Sequence, residues 1–244
     1  LGKSIKTSIT KNLTMSNSDY ATQKLTTVLT RIASSCEANQ RQPDSVRLIG
    51  ASKKQSAELI KQFADSGLRD LGENYLQEAI DKQYQLPNLQ TNWHFIGQIQ
   101  SNKTKLIAQH FDWVHGVDRL KIAKRLATQH GRQEPVNLLI QLNPDDEDSK
   151  GGVALRDAAE LAQQIAELEG ARLRGFMMIP KARKQQDQQR AVFARARALL
   201  ELCNQQYGLS LDQLSMGMSG DLEAAIAEGS TMVRIGTDLF GARA

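Results

Sequence analysis

Two hydrophobic rhythms share this chain. From Tyr20 to about Asn39, the apolar residues Leu25, Val28, Leu29 and Ile32 recur at helical spacing and predict one amphipathic helix ahead of the main pattern. Beyond it, short apolar or β-branched runs alternate with helix-period stretches. The first four runs are VRLIGAS (46–52), LRDLGEN (68–74), NWHFIGQ (92–98) and WVHGVD (113–118). The other four are VNLLIQL (136–142), RLRGFMMI (172–179), QLSMGMS (213–219) and TMVRIGT (231–237). Between them lie segments such as AELIKQFADSG, LKIAKRLATQHG and LRDAAELAQQIAELEG, several closed by a glycine suited to a left-handed C-cap. Strand alternating with helix means a parallel sheet. Eight such units in about 200 residues predict an α/β fold, a single (β/α)8 TIM barrel with an extra N-terminal helix. An open doubly wound sheet is the alternative, but eight strands exceed what most such sheets use.

Composition narrows the class. Apolar residues make up 40% and charged residues 24% of the 244 residues, as in a globular protein. The charge balance of 31 − 27 = +4 is too small a surplus to argue for nucleic acid. No stretch approaches the roughly 18 uninterrupted apolar residues of a membrane span. Cys36 and Cys203 lie far apart without CxxC spacing, which suggests a reducing compartment, so the cytoplasm is expected. Residues 1–14, LGKSIKTSITKNLT, read as a leader or vector-derived segment before Met15; a mitochondrial transit peptide is the competing reading, although the segment contains no Arg. No linker divides 15–244, which reads as one domain and is expected to be a monomer.

In a barrel of this kind, function sits where strands end and βα loops begin. The first strand finishes in GASKKQ, and alternation places Lys53 on the side of Ile49 and Ala51, toward the interior, with Lys54 pointing the other way. An ammonium at an apolar barrel mouth loses hydration, which favours the neutral amine and makes it a better nucleophile for a carbonyl. The competing reading is a snorkelling strand-end lysine. The seventh end, SMGMSGDLEAAIAEG, is a Gly-rich turn feeding a helix, and the eighth reads RIGTDLFGAR. Loops after strands 7 and 8 are the usual phosphate position: Ser219 and Thr237 offer hydroxyls, while Gly220 and Gly236 allow close backbone approach. Taken singly, these glycines could serve only tight turns.

A possible Schiff-base lysine and a phosphate cradle in one barrel mouth suggest pyridoxal phosphate. Arg234 falls on the face of Met232 and Gly236, inside the barrel, where a pyridine nitrogen is one partner for it. The alternative partner is an acid such as Asp238 or Glu73. Because Arg keeps its proton, it would leave the ring nitrogen unprotonated and weaken the cofactor as an electron sink.

The motifs GASKKQ, DLGENYLQEAIDK, WHFIGQIQSNK, RLRGFMMIP and LSMGMSGDLEAAIAEGSTMVRIGTDLFG, in this order, resemble the YggS/PROSC family of pyridoxal phosphate homeostasis proteins over nearly all of 20–244. The resemblance implies a fold type III barrel like the N-terminal domain of alanine racemase, acting as a cofactor carrier or regulator without robust catalysis. It implies Lys53 as the cofactor-bearing lysine, Ser219, Gly236 and Thr237 around the phosphate, and Arg234 at the ring nitrogen. Asn74 is implied near the ring, with His94 and Met218 as ring-wall residues. The stretch 146–152 and Phe176 depart from the family pattern, off the cofactor-holding positions.

Two rival functions stand beside the carrier. A racemase needs proton donors on both ring faces, and of Tyr20, Tyr75, Tyr84 and Tyr207 only Tyr75 lies near a strand end; the chain also stops soon after the eighth strand, where a racemase continues into a second domain. A cofactor-free Schiff-base aldolase would use Lys53 and the phosphate cradle but has no ring nitrogen for Arg234. The four histidines show no metal-binding spacing, and no GxxxxGK[ST] or GxGxxG occurs. The basic stretches 119–125 and 181–197 read as solvated helix faces, and Cys203 as core packing. PLP-dependent apoenzymes are the expected partners, with no nucleic acid and no membrane.

Overall fold

The structure is a computed structural model that describes residues 17–131, 133–146 and 151–241; the expected leader segment lies outside the described residues. The eight apolar runs form the eight strands of a closed parallel barrel. They are β1 (Arg47–Ala51), β2 (Asp70–Glu73), β3 (Asn92–Phe95), β4 (Trp113–Val117), β5 (Val136–Asn143), β6 (Ala171–Met178), β7 (Gln213–Ser215) and β8 (Met232–Ile235). Each strand pairs with the next in the chain, and β1 pairs with β8 in the register Ile49↔Arg234, which closes the ring. The open-sheet alternative is thereby excluded. An unexpected two-residue strand, Val153–Ala154, adds to the end of β5, too short to leave a periodic signal.

Helices fill the crossovers: α1 (Asn17–Ala38), α2 (Ala57–Asp65), α3 (Leu76–Gln85), α4 (Thr104–His110), α5 (Leu120–Gln129), α6 (Leu155–Ala166), α7 (Gln186–Tyr207), α8 (Leu222–Ala227) and α9 (Thr237–Phe240). Local chemistry sets several ends. Ser56 caps α2 by accepting from the Leu59 N–H at 3.2 Å, and Gly208, at φ 63°, closes α7 in the left-handed conformation. The helix ahead of the barrel buries Ala21, Leu25, Val28, Ile32 and Cys36, whereas Leu29 is 46% exposed. Its buried stripe packs on α2, α8 and α9, beside the loops that follow β7 and β8.

Strand alternation divides the core in two. Outward positions such as Leu48, Leu71, Leu138 and Val233 pack against the helices, with Cys36 and Cys203 as buried free thiols in that layer. Inward positions Ile49, Trp113, Leu139, Met177 and Met232 form a small apolar plug inside the barrel. Arg47 and Arg174 lie over the Trp113 ring at 5.2 and 4.9 Å, capping the plug at the N-terminal ends of the strands. The rest of the interior is polar, and it leads to the site.

The seventh run is extended only to Ser215, shorter than its sequence suggests. Gly217, at φ +98°, turns the chain away from the sheet, and a Cβ there would lie 2.7 Å from the Ala225 Cβ. The loop therefore passes over α8, and its segment 218–220 is presented to the barrel mouth. Among the described residues no helix is long and apolar enough to cross a membrane.

Candidate functional site

The turn after β1 is held from beneath. Ser52 donates from N–H to the Gly72 carbonyl at 3.0 Å and from Oγ to Glu73 Oε1 at 2.7 Å. Lys82 Nζ, on α3, donates to the Ser52 carbonyl at 2.8 Å and to Glu73 and Glu78 at 2.6 Å each. The Lys54 N–H donates to Glu78, and Lys54 takes φ 61°. Burial raises the Glu73 carboxyl above its usual range, with Lys82 and Ser52 pulling it back. With this turn pinned, Lys53 stays half-buried on the inner line of Ile49 and Ala51, while Lys54 is exposed.

Lys53 opens on a cavity of about 260 Å³ at the C-terminal ends of the strands. Ala51, Asn74, Ile96 and Ile179 wall the side formed by the ends of β1, β2, β3 and β6. Opposite them come Met218, Ser219 and Gly220 from the β7 loop, then Arg234, Gly236 and Thr237 from β8 and its end. Every sequence candidate except His94 is thus gathered in one cavity. Ala51, Ile96 and Ile179 were missed because apolar strand ends carry no chemical signature.

Several features describe what the cavity offers a ligand. Asn74 Oδ1 is buried without a hydrogen-bond partner among the described residues, a group that a ligand donor would satisfy. Gly236 has φ −111°, and a Cβ there would make only ordinary contact with Ala51, at 3.5–3.6 Å, so the fold does not itself demand glycine. A Cβ on Gly220 would meet nothing within 4 Å. The missing side chains leave room beside Ser219 and Thr237. The described lining offers an amine, a guanidinium, two hydroxyls, the side-chain amides of Gln55 and Asn74, and backbone, and no carboxylate. These residues fit pyridoxal phosphate, which brings an aldehyde for an amine and a phosphate for the glycine-lined end.

Arg234 is 4% exposed and shares neither acid considered as its partner: Asp238 pairs with Arg31 and Glu73 with Lys82. Its Nη1 donates to the Ser215 carbonyl and hydroxyl at 2.6 Å each, and its Nη2 to the Met178 carbonyl at 2.9 Å. Burial lowers its pKa to about 10, which still leaves it charged at neutral pH.

From Ser215 a hydrogen-bond chain crosses the barrel: Ser215 Oγ to His115 Nδ1 at 2.9 Å, His115 Nε2 to His94 Nδ1 at 3.0 Å, and His94 Nε2 to Asp70 Oδ1 at 2.9 Å. Its polarity follows from the two ends. Arg234 can only donate and the Asp70 carboxylate can only accept, so both neutral rings carry the proton on Nε2 and Ser215 donates to His115. Burial holds His115 well below its usual pKa, reinforced by His94 and Arg234; burial also lowers His94, with Asp70 acting in opposition. His94 is therefore corrected from ring wall to interior. It is fully buried, stacked on Trp113 with centroids 5.7 Å apart, one inward position short of the mouth, where Ile96 lines the cavity instead.

The arginines of the basic stretch 181–197 are engaged within the fold. Arg183 pairs with Asp145, Arg190 and Arg197 both pair with Glu228, and Arg195 donates to the Pro144 carbonyl at 2.7 Å.

Comparison with known proteins identifies the class this fold and cavity define. The family described as "Alanine racemase, N-terminal domain" matches residues 38–244, and the chain belongs to it. Within it, a protein named pyridoxal phosphate homeostasis protein in Pseudomonas aeruginosa is 51% identical over 222 residues, 91% of this chain and 95% of its own length. The solved structure of PipY from Synechococcus elongatus PCC7942 with PLP bound superimposes with a TM-score of 0.79 at 35% identity, covering 91% of this chain and all of that one. Alanine racemase from Corynebacterium glutamicum, at 15% identity and TM-score 0.67, shares the fold; the alignment spans 93% of this chain and 61% of that one.

Proposed function

We propose that this chain binds pyridoxal 5′-phosphate reversibly through Lys53 and takes part in pyridoxal phosphate homeostasis, holding the cofactor for PLP-dependent apoenzymes in the cytoplasm as a single-domain monomer. The observation that carries this reading is the cavity itself, where one half-buried lysine, a buried arginine and two glycine-lined hydroxyl positions converge. The relatives' names and the PLP-bound PipY structure support it. When bound, the cofactor supplies an aldehyde able to form a reversible covalent link to an amine and a phosphate that anchors it noncovalently.

The chain's own residues divide the work. The pinned turn aims the Lys53 amine into the cavity. Ser219 and Thr237 offer hydroxyl donors at the phosphate end, and Asn74 offers an acceptor beside the ring. Arg234, charged and fixed by Ser215 and Met178, presents donors that do not release a proton, so it withholds the protonated ring nitrogen on which broad amino-acid chemistry depends. Two-sided proton transfer also lacks a second group. No tyrosine, histidine or carboxylate lines the cavity among the described residues, and Tyr75 faces a neighbouring groove. This favours a holder over a racemase.

The test is the visible absorbance of the purified protein with added pyridoxal phosphate, then borohydride reduction and peptide mass mapping. A yellow protein carrying a reduced pyridoxyl group on Lys53, lost in Lys53→Ala, is expected. A protein that stays colourless refutes the reading, and L- to D-amino-acid turnover abolished by Lys53→Ala would replace it with a racemase.

A further inference from the structure

One arginine outside the barrel repeats touches both loops at the phosphate end of the cavity. Arg31, on α1, makes four hydrogen bonds there: Nε to Glu223 Oε1 at 2.5 Å, Nη2 to Glu223 Oε2 at 2.9 Å, Nη1 to Asp238 Oδ2 at 2.9 Å, and Nη2 to the Ser219 carbonyl at 2.7 Å. Glu223 lies in the first turn of α8 and Asp238 in the first turn of α9. A single guanidinium thus ties the loop after β7 to the loop after β8 from the outer side. We propose that Arg31 is a positioning residue for phosphate binding, setting the Ser219–Gly220 peptide and neutralising Glu223 and Asp238, while the third carboxylate of this end, Asp221, is engaged by the Met218 N–H at 2.6 Å.

The first part follows from peptide geometry. In a trans peptide the C=O and the following N–H point in opposite directions. Because the Ser219 carbonyl is held outward by Arg31, the Gly220 N–H is directed the other way, toward the side on which Ser219 and Gly220 line the cavity. The second part is electrostatic. Carboxylates left uncompensated beside an anion site repel a phosphate carrying up to two negative charges, and within a Debye length ionic screening is incomplete. The fork geometry of Arg, engaging both Glu223 oxygens and Asp238 at once, suits this task better than a lysine. Arg31, Glu223 and Asp238 are each about a third exposed or more, so the cluster adds little to folding stability and its effect falls on the ligand.

This inference rests on the cofactor reading above, and phosphate dependence separates the two. The experiment titrates the full chain with pyridoxal phosphate and with unphosphorylated pyridoxal, following absorbance. Arg31→Met is expected to weaken pyridoxal phosphate about tenfold while changing pyridoxal less than about twofold. Adding Glu223→Gln and Asp238→Asn to that variant is expected to recover much of the loss. Equal effects on both ligands, or none on either, overturn the proposal with the cofactor reading intact; wild-type protein that binds neither ligand overturns both. Should Arg31→Met fail to fold, Glu223→Gln/Asp238→Asn with Arg31 retained still decides: tighter pyridoxal phosphate binding supports the proposal, and unchanged or weaker binding overturns it.

Discussion

Arg234 reaches Ser215 twice, through the carbonyl and the hydroxyl of the same residue, and so joins the cavity to a hydrogen-bond chain that ends at Asp70. Ser215 is fully buried and serves as acceptor for Arg234 and donor to His115. Ser215→Ala removes both roles, leaving the His115 Nδ1 acceptor buried without a donor. The expected cost is about 1–3 kcal/mol in urea unfolding. A loss within about 0.3 kcal/mol would show that the chain is not energetically coupled.

The same chain sets a pH dependence. In the folded protein His94 and His115 have pKa values below the usual 6.5, so near that pH the unfolded chain binds more protons there than the folded chain does. Stability therefore falls as pH drops below about 6.5. Unfolding free energy is expected to be lower at pH 5.5 than at pH 7.5, and urea unfolding at the two pH values measures the drop. Burial pushes the Asp70 carboxyl up, but His94, Arg47 and Asn92 outweigh it and hold it below its usual value, so its stabilisation is also lost as pH falls, in more acid solution than that of the histidines. His115→Gln is expected to flatten the slope between pH 7.5 and 5.5; an unchanged slope contradicts the neutral-ring assignment.

Lys82 supports Lys53 from below. Removing its ammonium in Lys82→Met strands Glu73, which is fully buried, without its counter-charge. Breaking a buried pair in this way costs about 3–5 kcal/mol. Thermal and urea unfolding measure it, and Glu73→Gln added to Lys82→Met is expected to restore part of the loss.

Gly236 separates folding from binding. Neither its φ nor its surroundings forbid a Cβ, so Gly236→Ala is expected to change stability by less than about 1 kcal/mol. The same methyl enters the space beside Thr237 and is expected to weaken pyridoxal phosphate binding several-fold in a spectroscopic titration. Unchanged affinity would move the phosphate away from this loop.

Gly97 makes the contrasting case. A Cβ there would lie 2.3 Å from the Asn74 carbonyl oxygen, so Gly97→Ala forces the Asn74 backbone to shift. Both stability and cofactor affinity are expected to fall together, which the paired unfolding and titration measurements check.

Local pattern alone determined the eight strands, the leading helix and most of the cavity. Apolar runs of strand length separated by helix-period segments leave few arrangements other than a closed parallel barrel, and period-two alternation fixes which side of a strand a residue faces. Lys53 and Arg234 were legible for that reason, and the Gly, Ser and Thr residues because they stand where strands 7 and 8 end. Depth within the barrel was not legible. Alternation says that His94 points inward but not how far from the mouth its layer lies, and register with β2 and β4 places it among Asp70, His115 and Trp113. Nor could local pattern find Arg31, Ser52, Glu73 or Lys82. Their roles come from contacts that join distant parts of the chain, Arg31 to Glu223 across 192 positions and Lys82 to Ser52 across 30. Periodicity records which face of an element is buried, whereas the partner of a buried or bridging charge is chosen only when the ring of strands closes and α1 settles against it.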